Sequence, residues 1–142
     1  MIDPRSDLTI LDTEACLALL AERSGRVGRI AFLEGVHPVV LPVNYVVDRD
    51  RIALRTAEGA KLSAAKRGAA VSFQVDHLED FLETGWSILV RGHAQLVDAP
   101  EERSRLAALG LRTWAGDDRK DRWVVIPIEQ ISGRRIALLT RR

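Results

Sequence analysis

Apolar and polar positions along this chain follow two periods in turn. Cys16, Leu19 and Leu20 fall at i, i+3 and i+4, the spacing of one helix face, over residues 14–23. Asp12 or Thr13 can cap that helix, and Ser24–Gly25 stops it. The pattern then becomes strand-like. RVGRIAFLEG predicts a strand closed by a turn at Glu34–Gly35, HPVVLPVNYVVD a second, and RIALRT a third. Asp48, Arg49, Asp50 and Arg51 form the polar hairpin tip between the last two. A short helix is expected over residues 60–67, then a strand AAVSFQVD with Val71, Phe73 and Val75 alternating. HLEDFLETG reads as a loop and WSILVRGHAQLVD as one long strand. Pro100 opens a helix that Gly110 ends, LRTWAGDDRKD is a polar loop, and RWVVIPIEQISG and RRIALLTR close the chain as strands.

Six or seven strands with few, short helices predict a mainly β chain. The connections are too short for crossover helices, so an antiparallel barrel is expected rather than a parallel sheet. Pro42 cannot donate to a ladder, which places it at a bulge or an edge. Gly92, in the middle of a long run, signals a bulge or a close backbone approach.

Composition narrows the picture modestly. The 142 residues suit one domain, residues 1–142, with a real core. A net charge of +1 with scattered basic residues, apart from Arg134–Arg135 and Arg141–Arg142, gives no nucleic-acid footprint. One cysteine excludes an internal disulfide and fits a reducing, cytoplasmic location. No leader peptide and no membrane-length apolar run are visible, so a membrane partner is not expected.

The stretch RTAEGAKLSAAKRG carries the most chemistry. It sets Lys61 in the first turn of a helix, where a carboxylate would suit the dipole better. One reading makes Lys61 a solvated surface residue, at a cost of a few tenths of a kcal/mol at most. The other makes an anion site from Arg55, Thr56, Lys61 and the free N–H groups near residues 60–62, Leu62 included. Two further stretches bear on this. PVNY contains Val43, Asn44 and Tyr45; the Asn44 amide can hydrogen-bond a flat heteroaromatic edge, or cap a bulge while Tyr45 packs in the core. GWSILVRG opens a strand with Trp86 and Ser87, where a ring can rest, or where Trp86 joins the core. Trp123 is a candidate interface aromatic. His37, His77 and His93 share no ligand spacing, Cys16 reads as a core thiol, and neither Glu101–Glu102 nor Asp117–Asp118 reads as an acid–base dyad.

Taken in order, GRIAFLEGVHPVVLPVNYVVDRDRIALRTAEGAKL, AAVSFQVD and GWSILVRGHAQLVD resemble the pyridoxamine 5'-phosphate oxidase-like family, across residues 17–97 and loosely beyond. The resemblance implies a six-stranded antiparallel split β-barrel with short flanking helices. It implies a homodimer holding FMN at the subunit interface and acting as an oxidoreductase on a small planar substrate. On it, Arg55, Thr56, Lys61 and Leu62 surround the phosphate, and Val43, Asn44 and Tyr45 line the isoalloxazine ring. Trp86 and Ser87 reach the flavin from the partner subunit; oxidases proper commonly carry glutamine at the Ser87 position. Those oxidases also end in an arginine-leucine-x-proline stretch that binds substrate. This chain ends IALLTRR, which implies a substrate other than pyridoxamine phosphate. Smaller relatives keep two alternatives open on the same barrel: a deazaflavin, with Lys66 and Arg67 meeting its longer anionic tail, and a non-enzymatic flavin or haem module, with His93 the candidate haem ligand.

Overall fold

The computed structural model describes residues 8–114 and 121–136. A strand β1 (Leu8–Leu11) precedes helix α1 (Thr13–Glu22), whose N-cap Asp12 accepts from the Ala15 N–H at 2.8 Å. Cys16, Leu19 and Leu20 are its buried face, as the spacing requires. The strand β1 escapes sequence reading because four residues are too few to establish a period.

The remaining elements are β2 (Val27–Glu34), β3 (His37–Asn44), β4 (Val46–Asp48), β5 (Arg51–Thr56), α2 (Ala60–Lys66), β6 (Ala70–Glu79), β7 (Thr84–His93), β8 (Gln95–Val97), α3 (Pro100–Ala107), β9 (Arg122–Pro127) and β10 (Gln130–Ile136). All pairings are antiparallel. They make a six-stranded sheet, β1-β10-β7-β6-β2-β3, and a four-stranded sheet, β4-β5-β9-β8. The fold is the mainly β, split-barrel arrangement, left open rather than closed.

Three runs expected as single strands each break once, and the chain changes sheet at every break. HPVVLPVNYVVD divides at Tyr45 into β3 and β4; WSILVRGHAQLVD divides at Ala94 into β7 and β8; RWVVIPIEQISG divides at residues 128–129 into β9 and β10. At the first of these corners the buried run from Val43 to Val46 crosses the break without an exposed residue, so no polar position marks the change of sheet. The expected loop HLEDFLETG is mostly strand: β6 and β7 pair out to Glu79–Thr84, leaving a four-residue tip. RRIALLTR is strand at its start, as expected, but Arg134, Arg135 and Ile136 continue β10 rather than open a new strand; its remainder, and Arg141–Arg142 and Asp117–Asp118, lie outside the described residues.

The larger core is built on Tyr45, Phe73, Leu20, Ile30, Leu54, Ile88 and Ile126, all at most 1% exposed. Each contributes on the order of 1.5–3 kcal/mol by leaving water. A smaller cluster joins the four-stranded sheet to α3 through Val46, Ala53, Val97, Leu106, Leu111, Val125 and Trp123. Trp123 is therefore a buried core residue in this chain, not an exposed interface aromatic. Pro42 sits on β3, the outer strand of its sheet, where a missing donor costs nothing. Gly92 is a close-approach glycine: a Cβ there would collide with the Pro127 carbonyl oxygen.

Candidate functional site

The corner after β3 and the end of β5 come together beside the start of α2. There a cavity of about 150 Å³ is lined by Val27, Pro42, Val43, Asn44, Arg55, Lys61, Thr113 and Trp114. Among the described residues its lining holds two cationic side chains, an amide and a hydroxyl. That donor set suits an anion.

Local structure explains each position. Gly59 is the N-cap of α2 at φ 154°, a backbone region closed to L side chains, and it turns the chain so that Lys61 follows β5 at the cavity. The helix has seven residues, no side-chain cap and no acidic residue in its first turn. Under two turns long, it offers a weak dipole, so the electrostatics rest on Arg55 and Lys61. Arg55 ends β5 opposite Trp123; its guanidinium lies 5.7 Å from the centre of that ring and donates to the Leu111 carbonyl at 3.3 Å.

Asn44 is 5% exposed. Its Oδ1 accepts from the Trp114 backbone N–H at 2.9 Å, while its Nδ2 is buried without a hydrogen-bond partner. An orphaned amide donor beside two cations is the strongest local sign that a ligand belongs here.

Sequence reading named nine residues for this site, and the structure separates them. Val43, Asn44, Arg55 and Lys61 share the cavity. Thr56 stands next to Arg55 but is buried, its hydroxyl donating to the Ala57 carbonyl at 3.1 Å. Leu62 is fully buried in the core. Tyr45 packs in the core. Its ring packs edge-on to Phe73 at 5.1 Å, its hydroxyl donates to the Leu20 carbonyl at 2.8 Å, and its backbone N–H and carbonyl bond Arg26 and Gly25. Burial pushes its phenol well above the usual range, so it stays neutral. Trp86 and Ser87 lie on β7, which is not part of this cavity; Trp86 lines a separate open hollow with His77 and Arg135.

Thr113 and Trp114 were missed. They follow α3 in a polar loop with no periodicity, and the only available signal was a lone tryptophan there, 81% exposed. The histidines stay apart from the cavity: His93 bonds Glu129 at 2.7 Å on the sheet's outer side, and His77 sits against Trp86. Lys66 pairs with Glu58 at 3.9 Å, and Arg67 donates to the Leu33 carbonyl at 2.7 Å; neither lines the cavity. No helix of the described residues is long and apolar enough to cross a membrane.

Comparison with known proteins bears on the fold and the family. The family model for pyridoxamine 5'-phosphate oxidase matches residues 12–135. An uncharacterized protein of Mycobacterium tuberculosis, Rv0080, is 35% identical over 136 residues, covering 92% of this chain and 87% of the relative. A crystal structure from Corynebacterium glutamicum, classed provisionally as a pyridoxamine 5'-phosphate oxidase, superposes with a TM-score of 0.78 at 30% identity, covering 92% of this chain and 99% of the other. An FAD-binding protein from Mycobacterium smegmatis does so with a TM-score of 0.66 at 31% identity, covering 90% and 97%. This chain belongs to the pyridoxamine 5'-phosphate oxidase family.

Proposed function

We propose that the protein binds a flavin nucleotide, with a flavin phosphate in the cavity between Arg55 and Lys61, and uses it as a homodimeric oxidoreductase on a small planar substrate. The observation that carries this is the cavity's donor set: two cationic side chains and an orphaned amide donor on one wall. Bound flavin supplies hydride transfer; the chain supplies charge, orientation and exclusion of water. Arg55 and Lys61 neutralise the phosphate, Val43 and Pro42 give the ring an apolar wall, and Asn44 offers a polar contact. FMN is the smallest nucleotide that satisfies this set.

The proposed dimer gives Trp86 and Ser87 their part in the site. They lie outside the cavity in their own chain, so they serve the flavin only from a second copy. A deazaflavin loses its particular support, because Lys66 and Arg67 are engaged elsewhere. A haem module loses it too, since among the described residues no histidine lines the cavity.

FAD is the second reading. The exposed indole of Trp114 at the cavity mouth is a surface on which an adenine ring can stack, and the similar M. smegmatis protein binds FAD. Competition between FMN and FAD, followed by flavin fluorescence, decides: Trp114→Ala weakens FAD and spares FMN if the adenine rests there. For the reading as a whole, saturable FMN binding at micromolar affinity or tighter is expected, and absence of binding by any flavin nucleotide would end it.

A further inference from the structure

The side-chain amide of Asn44 is held in one orientation by its own chain. The Trp114 backbone N–H donates to Oδ1 at 2.9 Å. A backbone N–H has only a donor to offer, so the amide cannot rotate by half a turn without setting its NH₂ against that N–H. The consequence is that Nδ2 is the end left over. It is buried, has no partner, and belongs to a residue 95% enclosed on the cavity wall that also carries Arg55 and Lys61. A buried donor left unmet costs stability, which a ligand acceptor would return on binding. Val27 and Pro42 beside it offer apolar surface and no acceptor side chain.

We infer that Asn44, oriented by the Trp114 backbone, is a specificity-determining residue that admits only a hydrogen-bond acceptor at this point of the ligand: a phosphate oxygen, or a carbonyl or unprotonated ring nitrogen of the flavin. This rests on the flavin reading and adds the polarity of the contact. It excludes a pose in which the ring's N–H meets Asn44. It also assigns the backbone of Trp114 a role, because its N–H sets which end of the amide faces inward. No side chain is required for that, so the sequence alone gives no sign of it.

Asn44→Asp tests the polarity with little change of shape. One carboxylate oxygen still accepts from the Trp114 N–H, while the other replaces the donor. Beside Arg55 and Lys61 that carboxylate is well placed, so the ligand-free variant keeps or gains melting temperature. A purely structural role for Asn44 predicts the opposite. Asn44→Ala removes the donor without adding charge, and Asn44→Ser serves if the alanine variant does not fold. Titrations with FMN and with riboflavin are followed by flavin fluorescence. The expected result is a loss of FMN affinity of about tenfold or more in each variant, the scale of one buried hydrogen bond. Equal losses for riboflavin place the acceptor on the ring or ribityl chain; loss for FMN alone places it on the phosphate. If the neutral variant binds FMN within about twofold of wild type, the inference is overturned, because charge repulsion alone then accounts for the aspartate. Wild-type protein binding neither flavin would overturn the flavin reading itself, and this contact with it.

Discussion

Asn44 and Tyr45 are neighbours with opposite fates, and the difference is made by what each polar group can reach. Every polar group of Tyr45 finds a partner within the chain, while Asn44 keeps one buried donor unmet. A sequence shows two residues able to hydrogen-bond; it does not show that the turn at Gly25–Arg26 takes up the Tyr45 backbone. Lys61 was legible for a simpler reason. A lysine in a helix's first turn, where that turn carries no acidic residue, runs against the helix dipole, and a local mismatch of this kind draws the eye to a position. Lys61→Ala is expected to leave the fold intact and weaken FMN roughly 10–100-fold, the range for one charge-assisted hydrogen bond of about 1.5–3 kcal/mol. Calorimetric titration of the folded variant checks this, and an unchanged affinity would remove Lys61 from the site.

Elements are held by their corners. At the β7–β8 corner Gly92 lets β7 lie directly on the Pro127 carbonyl. Gly92→Ala should lower stability by about 1–3 kcal/mol through overpacking against backbone that cannot yield, measurable as a shift in urea midpoint. Each of the three sheet-crossing corners has a proline or glycine within three residues, Pro42, Gly92 or Pro127, but the apolar runs continue past them, which is why sequence reading merged the strands there. The hairpin tip at residues 48–51 hid more. Asp48 is 6% exposed and accepts from Arg105 at 2.7 and 2.9 Å and from Arg51 at 2.9 Å, while Glu102 bonds both arginines. This network ties the β4–β5 hairpin to α3. Hydrogen bonds from Arg105, then Arg51, hold Glu102 down at about 2, and Arg105 above all holds Asp48 far below the usual carboxylate range. Both are depressed, so their stabilisation is full above the ordinary values of 3.8 and 4.5 and is lost as pH falls through that range toward 2. Asp48→Asn should flatten the acid limb of a melting-temperature profile between pH 4.5 and 2, and an unaltered profile would deny the network that role.

At the scale of the whole molecule, fold and family were legible because strand order and spacing survive even where single boundaries blur. The site was legible in part: six of its lining residues lie on regular elements, and four of those, Val43, Asn44, Arg55 and Lys61, carried a sequence signal, whereas Thr113 and Trp114 arrive from a loop whose path only tertiary structure defines. Assembly belongs to this scale as well. On the proposed function Trp86 and Ser87 act on the flavin of a second copy, so light scattering at micromolar concentration is expected to give twice the monomer mass of 15.8 kDa. A monomer would remove both residues from the flavin site. The central claim is that the cavity between Arg55 and Lys61 holds a flavin phosphate. Titrating the wild-type protein in parallel with FMN and riboflavin tests it most directly, because the two differ only in that group. FMN binding at least about tenfold tighter than riboflavin, with the gap shrinking as salt rises, is the result the account predicts. Equal affinity for the two, or none for FMN, would contradict it.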